Sequence, residues 1–222
     1  MKISNETIQL LKNYATINSN ILIREGSTLS TISSAGNIFA TSKIAEEFPR
    51  EVAIYDLNSL LALLTLTDDQ EVEFGEKSLI ITKDGGEFEY FYSEPSILLP
   101  KPEKWPQKTP NTENFFEFNL STQEVQTIQK ACGIVGAPTL SLIGKNGKVT
   151  LHVGDPKTPS SNSYKKVVGE YSEDFDARLS FDNLKIVPDN YVVGINKKKS
   201  FHFKSTTRQY QLWTAVDPSS TL

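Results

Sequence analysis

The sequence predicts an α+β chain built from two similar halves, each packing two helices against antiparallel sheet, and three observations carry that prediction. A proline-dense segment divides the chain near its middle. Helix-capping residues recur at matching places on either side of it. Between the helices run short strand-like stretches separated by Gly- and Asn-containing turns.

The dividing segment, Ser93 to Pro110, holds Pro95, Pro100, Pro102, Pro106 and Pro110. Prolines at this density block both helix and central strand, so the segment is extended. It reads as a connector over 95–113, between a first domain at 1–94 and a second at 114–222. Its Ile97, Leu98, Leu99 and Trp105 favour burial, which lays the connector on the protein surface.

In the first half, Ser4 caps a helix through about Thr16, with Ile8, Leu11 and Ala15 on one face and Leu10 and Tyr14 beside them. Strands follow at Asn20–Arg24, Thr28–Ser33 and Asn37–Ser42, broken by Glu25-Gly26 and Ala35-Gly36. A strand at Glu51–Tyr55 leads to a second helix, opened by Asp56 or Asn58 and carrying Leu57, Leu60, Leu61 and Leu64. Strands at Glu71–Phe74, Ser78–Thr82 and Glu87–Tyr92 complete the half, with Asp84-Gly85-Gly86 as a hairpin turn.

The second half repeats this order. The strand Phe115–Leu120 runs into Ser121-Thr122-Gln123-Glu124, a capping box. Its helix continues to about Cys132 with Val125, Ile128 and Cys132 inward. Strands Thr139–Ile143 and Lys148–Val153 flank Asn146-Gly147, the strongest hairpin signal present. After Tyr164–Tyr171 and Asp176–Phe181, a short fourth helix is expected from Asp182, carrying Leu184 and Ile186 or Val187 and stopped by Pro188. Strands Tyr191–Asn196, Ser200–Ser205 and Gln209–Val216 close the chain.

The chain has 222 residues, 38% hydrophobic and 23% charged, which is ordinary globular composition. A chain of this size buries roughly 70% of its unfolded surface, so neither disulfide nor metal is needed to hold it. Cys132 is the one cysteine, which fits a reducing cytoplasm. No apolar run approaches the roughly 20 residues of a membrane span, and the N-terminal stretch lacks a signal-peptide core. A cytoplasmic protein is expected. The net charge is −4. Residues 1–92 carry −7, residues 93–114 balance, and residues 115–222 carry +3. This is either ordinary surface variation or the asymmetry that suits head-to-tail association, since unlike fields attract over a Debye length.

The inventory of catalytic groups is thin. His152 and His202 sit far apart in strands and read as structural. There is no His/Cys cluster at zinc spacing and no dinucleotide fingerprint. Gly147-Lys148 is not a phosphate loop, because Leu142 and Val149 occupy the required glycine and Ser/Thr positions. Asp68-Asp69 reads as a solvated turn rather than a cation site. No cofactor is implied, and the chain is expected not to be an enzyme.

The helices are more informative. Opposite the apolar stripe of the first lie Gln9, Lys12, Asn13 and Thr16; opposite that of the third lie Gln123, Gln126, Thr127 and Lys130. The second exposes Ser59, Ala62 and Thr65, and the expected fourth exposes Lys185. Any one face is simply solvated. Taken together, sparse lysines among uncharged polar groups attract a phosphate backbone without reading bases.

Met1-Lys-Ile-Ser4, Leu10-Leu-Lys-Asn-Tyr-Ala-Thr-Ile-Asn-Ser19 and Val52-Ala-Ile-Tyr-Asp-Leu-Asn58 closely resemble the sliding clamps of T-even-type phages, which act as DNA polymerase processivity factors. Chain length, the connector after an aromatic strand and the capping box at Ser121 are similar too. The resemblance implies the DNA-clamp fold and a ring of three subunits joined head to tail, encircling duplex DNA without sequence preference. It implies helices lining the hole, a replicative DNA polymerase as partner, and an ATP-dependent clamp loader that opens the ring. It also implies a phage-encoded protein of the host cytoplasm. Lys12 occupies a matching lysine, and Lys130 falls where the family is basic. Gly133 stands where the family carries a second basic residue. Lys185 and Lys2 also map towards the hole.

Exposed sheet edges in such a ring pair between neighbours. Glu87, Glu89 and Glu94 late in the first half are expected to meet Lys165 and Lys166 of the next subunit. Leu98, Leu99, Trp105 and Trp213 either form a pocket for a partner's apolar peptide or only pin the connector. The alternative to a clamp is a monomeric β-rich single-strand binder, which would stack bases on aromatics such as Tyr90, Phe91, Tyr92, Phe201 and Phe203 in a basic groove.

Overall fold

The computed structural model describes residues 1–222 apart from 67–70, 84, 107–109, 111–112, 137, 156–157, 159 and the Lys104 side chain. Asp68-Asp69 and the Asp84 position of the expected hairpin turn thus lie outside the described residues. The chain divides into two compact units, Met1–Lys108 and Thr109–Leu222.

The first unit opens with α1, Asn5–Ile17, because the Ser4 hydroxyl accepts from the Thr7 N–H at 3.2 Å. Strands β1 (Ile21–Ile23), β2 (Gly26–Ile32), β3 (Ile38–Phe48) and β4 (Val52–Ile54) follow, with β1 paired to β4 and β2 to β3. Next comes α2, Leu57–Leu64, packed against α1. Asp56 caps it, accepting from the Ser59 N–H at 3.0 Å, so the cap is Asp56 and not Asn58. Hydrogen bonds from the Ser59 hydroxyl and N–H hold the Asp56 carboxyl below its ordinary pKa. Strands β5 (Glu71–Phe74), β6 (Ser78–Lys83) and β7 (Gly86–Phe91) form an antiparallel sheet in that order. Leu11 and Tyr14 of α1, Leu57, Leu60 and Leu64 of α2, and Leu79 and Ile81 of β6 are buried. Each such side chain stabilises the unit by roughly 1.5–3 kcal/mol relative to exposure.

The second unit begins with β8 (Asn114–Leu120) and α3 (Thr122–Val135). The capping box is fully formed: the Ser121 hydroxyl accepts from the Glu124 N–H, and the Glu124 carboxylate accepts from the Ser121 N–H at 2.7 Å. Gly136 ends the helix in the left-handed region that glycine adopts freely, at φ 62°. Strands β9 (Thr139–Lys145), β10 (Lys148–Gly154), β11 (Tyr164–Glu170) and β12 (Phe175–Ser180) make one antiparallel sheet in the order β11-β10-β9-β12. Asn146 and Gly147, both at positive φ, form the β9–β10 turn. Strands β13 (Tyr191–Asn196), β14 (Ser200–Ser205) and β15 (Tyr210–Ala215) pair in sequence, and β8 pairs with β13.

The expected fourth helix is corrected. Only a single 3-10 turn, Phe181–Asn183, follows β12, and the chain is irregular from Leu184 to Asn190. Pro188 disfavours helical geometry at Val187, which leaves too few residues to repay helix nucleation. Each unit therefore has antiparallel sheet and helix, but the described residues hold three α-helices rather than four. β3 also runs to Phe48, six residues past the expected end at Ser42.

Candidate nucleic-acid interface

The helix that carries Lys12 is held at its start by a residue far away in sequence. Glu46 of β3 accepts from the Thr7 hydroxyl at 2.7 Å and from the Ser4 N–H at 2.5 Å. Partial burial works to raise the Glu46 carboxyl, but these hydrogen bonds outweigh it and leave the pKa below the ordinary value. The exposed stripe of α1 is Glu6, Gln9, Lys12 and Thr16; that of α2 is Asn58, Ser59 and Ala62, continued by its C-cap Thr65. On α3 it is Gln123, Gln126, Thr127, Lys130, Gly133 and Ile134. Glu6 is the one carboxylate in these three stripes. Lys2 is exposed ahead of α1. Lys185 is half-buried in the irregular stretch after the 3-10 turn, so no helix presents it.

The expected peptide-pocket residues are placed differently from one another. Leu98 is 0% and Trp105 2% exposed, and the Trp105 indole N–H donates to the Pro100 carbonyl at 2.8 Å. Asn18 and Asn20 both donate to the Leu99 carbonyl, at 2.7 and 3.2 Å. These contacts fasten the start of the connector to the rest of the first unit. Leu99 itself projects outward, 61% exposed. Trp213 is buried in β15, stacked on His202 at 4.6 Å.

The second unit has a cavity that the sequence reading missed. Phe115, Tyr171 and Phe175 cluster with ring centroids 5.3–5.8 Å apart. With Leu222, the acidic Glu173 and Asp174 and the basic Lys197 and Lys199, they line about 360 Å³. These residues come from four separate stretches of chain, so no local pattern announces them.

β7 and β11 are both terminal strands of their sheets. β7 exposes Glu87, Phe88 and Phe91; β11 exposes Lys165 and Val167. Lys166 is not free for a neighbour: its ammonium pairs with Glu124 at the start of α3. Glu89 accepts from the Ser78 hydroxyl at 2.6 Å. Of the aromatics a single-strand binder would use, Phe201 and Phe203 are buried. The exposed Phe91 shares its strand with Glu87 and Glu89, which repel phosphate.

Residues 4–92 match the family model described as DNA polymerase processivity factor. Over 219 residues, covering 96% of this chain and 99% of the relative, the sequence is 30% identical to the sliding clamp of Vibrio phage KVP40. The chain belongs to the sliding clamp family. It is also 30% identical over 230 residues to the sliding clamp of Escherichia phage RB69, covering 98% of each. The fold agrees with that of solved clamps. Proliferating cellular nuclear antigen from Entamoeba histolytica superposes with a TM-score of 0.67 at 13% identity, covering 95% of this chain and 94% of that one. The DNA polymerase III subunit beta of Pseudomonas aeruginosa gives 0.69 at 13% identity, covering 98% and 66%.

As a sliding clamp, the chain is a DNA polymerase processivity factor, a non-catalytic class of protein. Burial depresses the pKa of both histidines, with Lys165 adding to the effect at His152. Among the described residues no cluster of His, Cys, Asp and Glu could hold a metal ion, and no helix is long and apolar enough to cross a membrane.

Proposed function

We propose that three copies of this sliding clamp close head to tail around duplex DNA and tether a replicative DNA polymerase to it, after an ATP-dependent loader has opened the ring. The observation that carries this reading is the character of the helix faces: three exposed stripes of uncharged polar groups with isolated lysines and one carboxylate. Lys12 and Lys130 attract phosphates, and Lys2 and Lys185 add to the basic lining. So few contacts leave low barriers to movement along the duplex. Closure is supported by the unlike edges β7 and β11, the first exposing Glu87 and Glu89 and the second Lys165, each with exposed apolar side chains.

Light scattering should give about three chain masses. After loading, the clamp should remain on covalently closed DNA and run off linear DNA. Equal release from circle and fragment sinks the encircling reading.

The cavity lined by Phe115, Tyr171 and Phe175 takes the place of the expected pocket at Leu98, Trp105 and Trp213 as the seat of the polymerase's apolar peptide. Its aromatic walls suit an apolar anchor, and the mixed charges of Glu173, Asp174, Lys197 and Lys199 at its rim suit polar groups beside that anchor. Phe175→Ala should weaken binding of a polymerase-derived peptide at least ten-fold while Trp213→Phe leaves it unchanged, measured by fluorescence anisotropy. Unchanged affinity in Phe175→Ala rules this cavity out.

A further inference from the structure

The two lysines of β11 have different work, because they leave the strand on opposite faces. In the β10–β11 ladder Lys166 lies opposite Leu151 and Lys165 opposite His152. Leu151 is buried on the side that α3 covers, whereas His152 faces the other way, into a polar cavity that Lys165 also lines. Lys166 reaches α3, where its ammonium meets Glu124 Oε1. The other oxygen of the same carboxylate, Oε2, accepts from the Ser121 N–H and hydroxyl at 2.7 and 2.9 Å. One carboxylate thus fixes the start of a helix and an edge strand together.

β11 needs such an anchor. It has a single neighbour in its sheet, and its register shifts at Val149/Thr150. An edge strand with a bulge has fewer constraints on its position than a central one.

We propose that the Lys166–Glu124 pair positions β11 for joining to β7 of a second copy, while Lys165 makes the charge contact across that joint. The proposal rests on the head-to-tail reading. On β7, Phe88 and Tyr90 lie opposite Ile81 and Leu79, the core side of that sheet, so Glu87, Glu89 and Phe91 occupy the far face. A sheet continued across the joint keeps its helix-covered sides together. Glu87, Glu89 and Phe91 then share a face with Lys165 and Val167, and Lys166 is on the opposite one. Apolar surface agrees with charge, because Phe91 and Val167 are 64% and 59% exposed in the single chain.

The test is a double-mutant cycle on the trimer dissociation constant of the full chain, measured by sedimentation at fixed salt. Lys166→Met keeps the aliphatic stem and removes the ammonium. Glu124→Gln keeps an acceptor for the capping box and removes the charge. Each single change should weaken the joint about five-fold, and the double change no more than either alone. Lys166→Arg should restore assembly to within two-fold of the parent. A trimer indifferent to Lys166→Met, or a double variant showing the product of the two single effects, overturns the proposal. A parent chain that stays monomeric removes the head-to-tail reading and the proposal with it.

Discussion

Lys165→Glu is expected to weaken trimer assembly roughly 30- to 100-fold at low ionic strength, because it sets three carboxylates against one another at the joint. In the proposed joint, the Lys165 ammonium faces the neighbour's β7, which bears Glu87 and Glu89. Reversing its sign converts attraction to repulsion, and like charges across an interface cost several kcal/mol. The residue is exposed, so screening reduces the effect, which should shrink as salt is raised. The parent ring should itself open more readily at high salt. Glu87→Lys together with Glu89→Lys should rescue assembly with Lys165→Glu and restore retention on circular DNA. If neither assembly nor its salt dependence responds to Lys165→Glu, the β7–β11 pairing is wrong.

Asp189→Ala should destabilise the fold by about 3 kcal/mol, lowering the melting temperature of the 222-residue chain by roughly 6–12 °C at constant protein concentration. The side chain of Asp189 is buried beneath the β14–β15 turn. It accepts from the Ser205 hydroxyl at 2.7 Å, the Asn190 N–H at 2.8 Å and the Thr207 hydroxyl, and it pairs with Arg208 at 2.9 Å. Removing it leaves the buried Ser205 hydroxyl without its acceptor and the Arg208 guanidinium without its carboxylate. Burial alone would raise the carboxyl, but the hydroxyl and N–H donors, with Arg208, hold it below the ordinary value of 3.8. A depressed pKa stabilises the fold above the unfolded value, and that contribution is lost as pH falls through the folded one. The parent should therefore lose stability with acid in that range more steeply than Asp189→Asn does. Equal acid sensitivity would remove Asp189 from the account.

The elements whose signals are local were legible in the sequence. Ser4, Asp56 and the Ser121/Glu124 box each start a helix, and Asn146-Gly147 turns a hairpin, because these motifs satisfy backbone groups within a few residues. What failed depended on distant partners or on competition. Asp182 has the chemistry of a cap, yet Pro188 leaves no room for a helix behind it. Glu46 secures α1 across 39 residues or more, which nothing in Ser4-Asn5-Glu6-Thr7 announces. Lys165 and Lys166 look equivalent as neighbours in sequence, and only the pleat and the position of Glu124 separate them. In sequence, Leu98, Leu99, Trp105 and Trp213 read as a pocket or as an anchor for the connector, and only folding separates the buried Leu98, Trp105 and Trp213 from Leu99, which is 61% exposed. The cavity at Phe115, Tyr171 and Phe175 exists only once the second unit has folded.

If copies join β7 to β11 as proposed, the unlike edges make growth directional. Every open string of copies ends in one bare donor strand and one bare acceptor strand, whatever its length, and only closure consumes both. A variant whose β11 is blocked by proline could still offer β7. It would act as a terminator, capping strings at one end and poisoning closure in substoichiometric amounts.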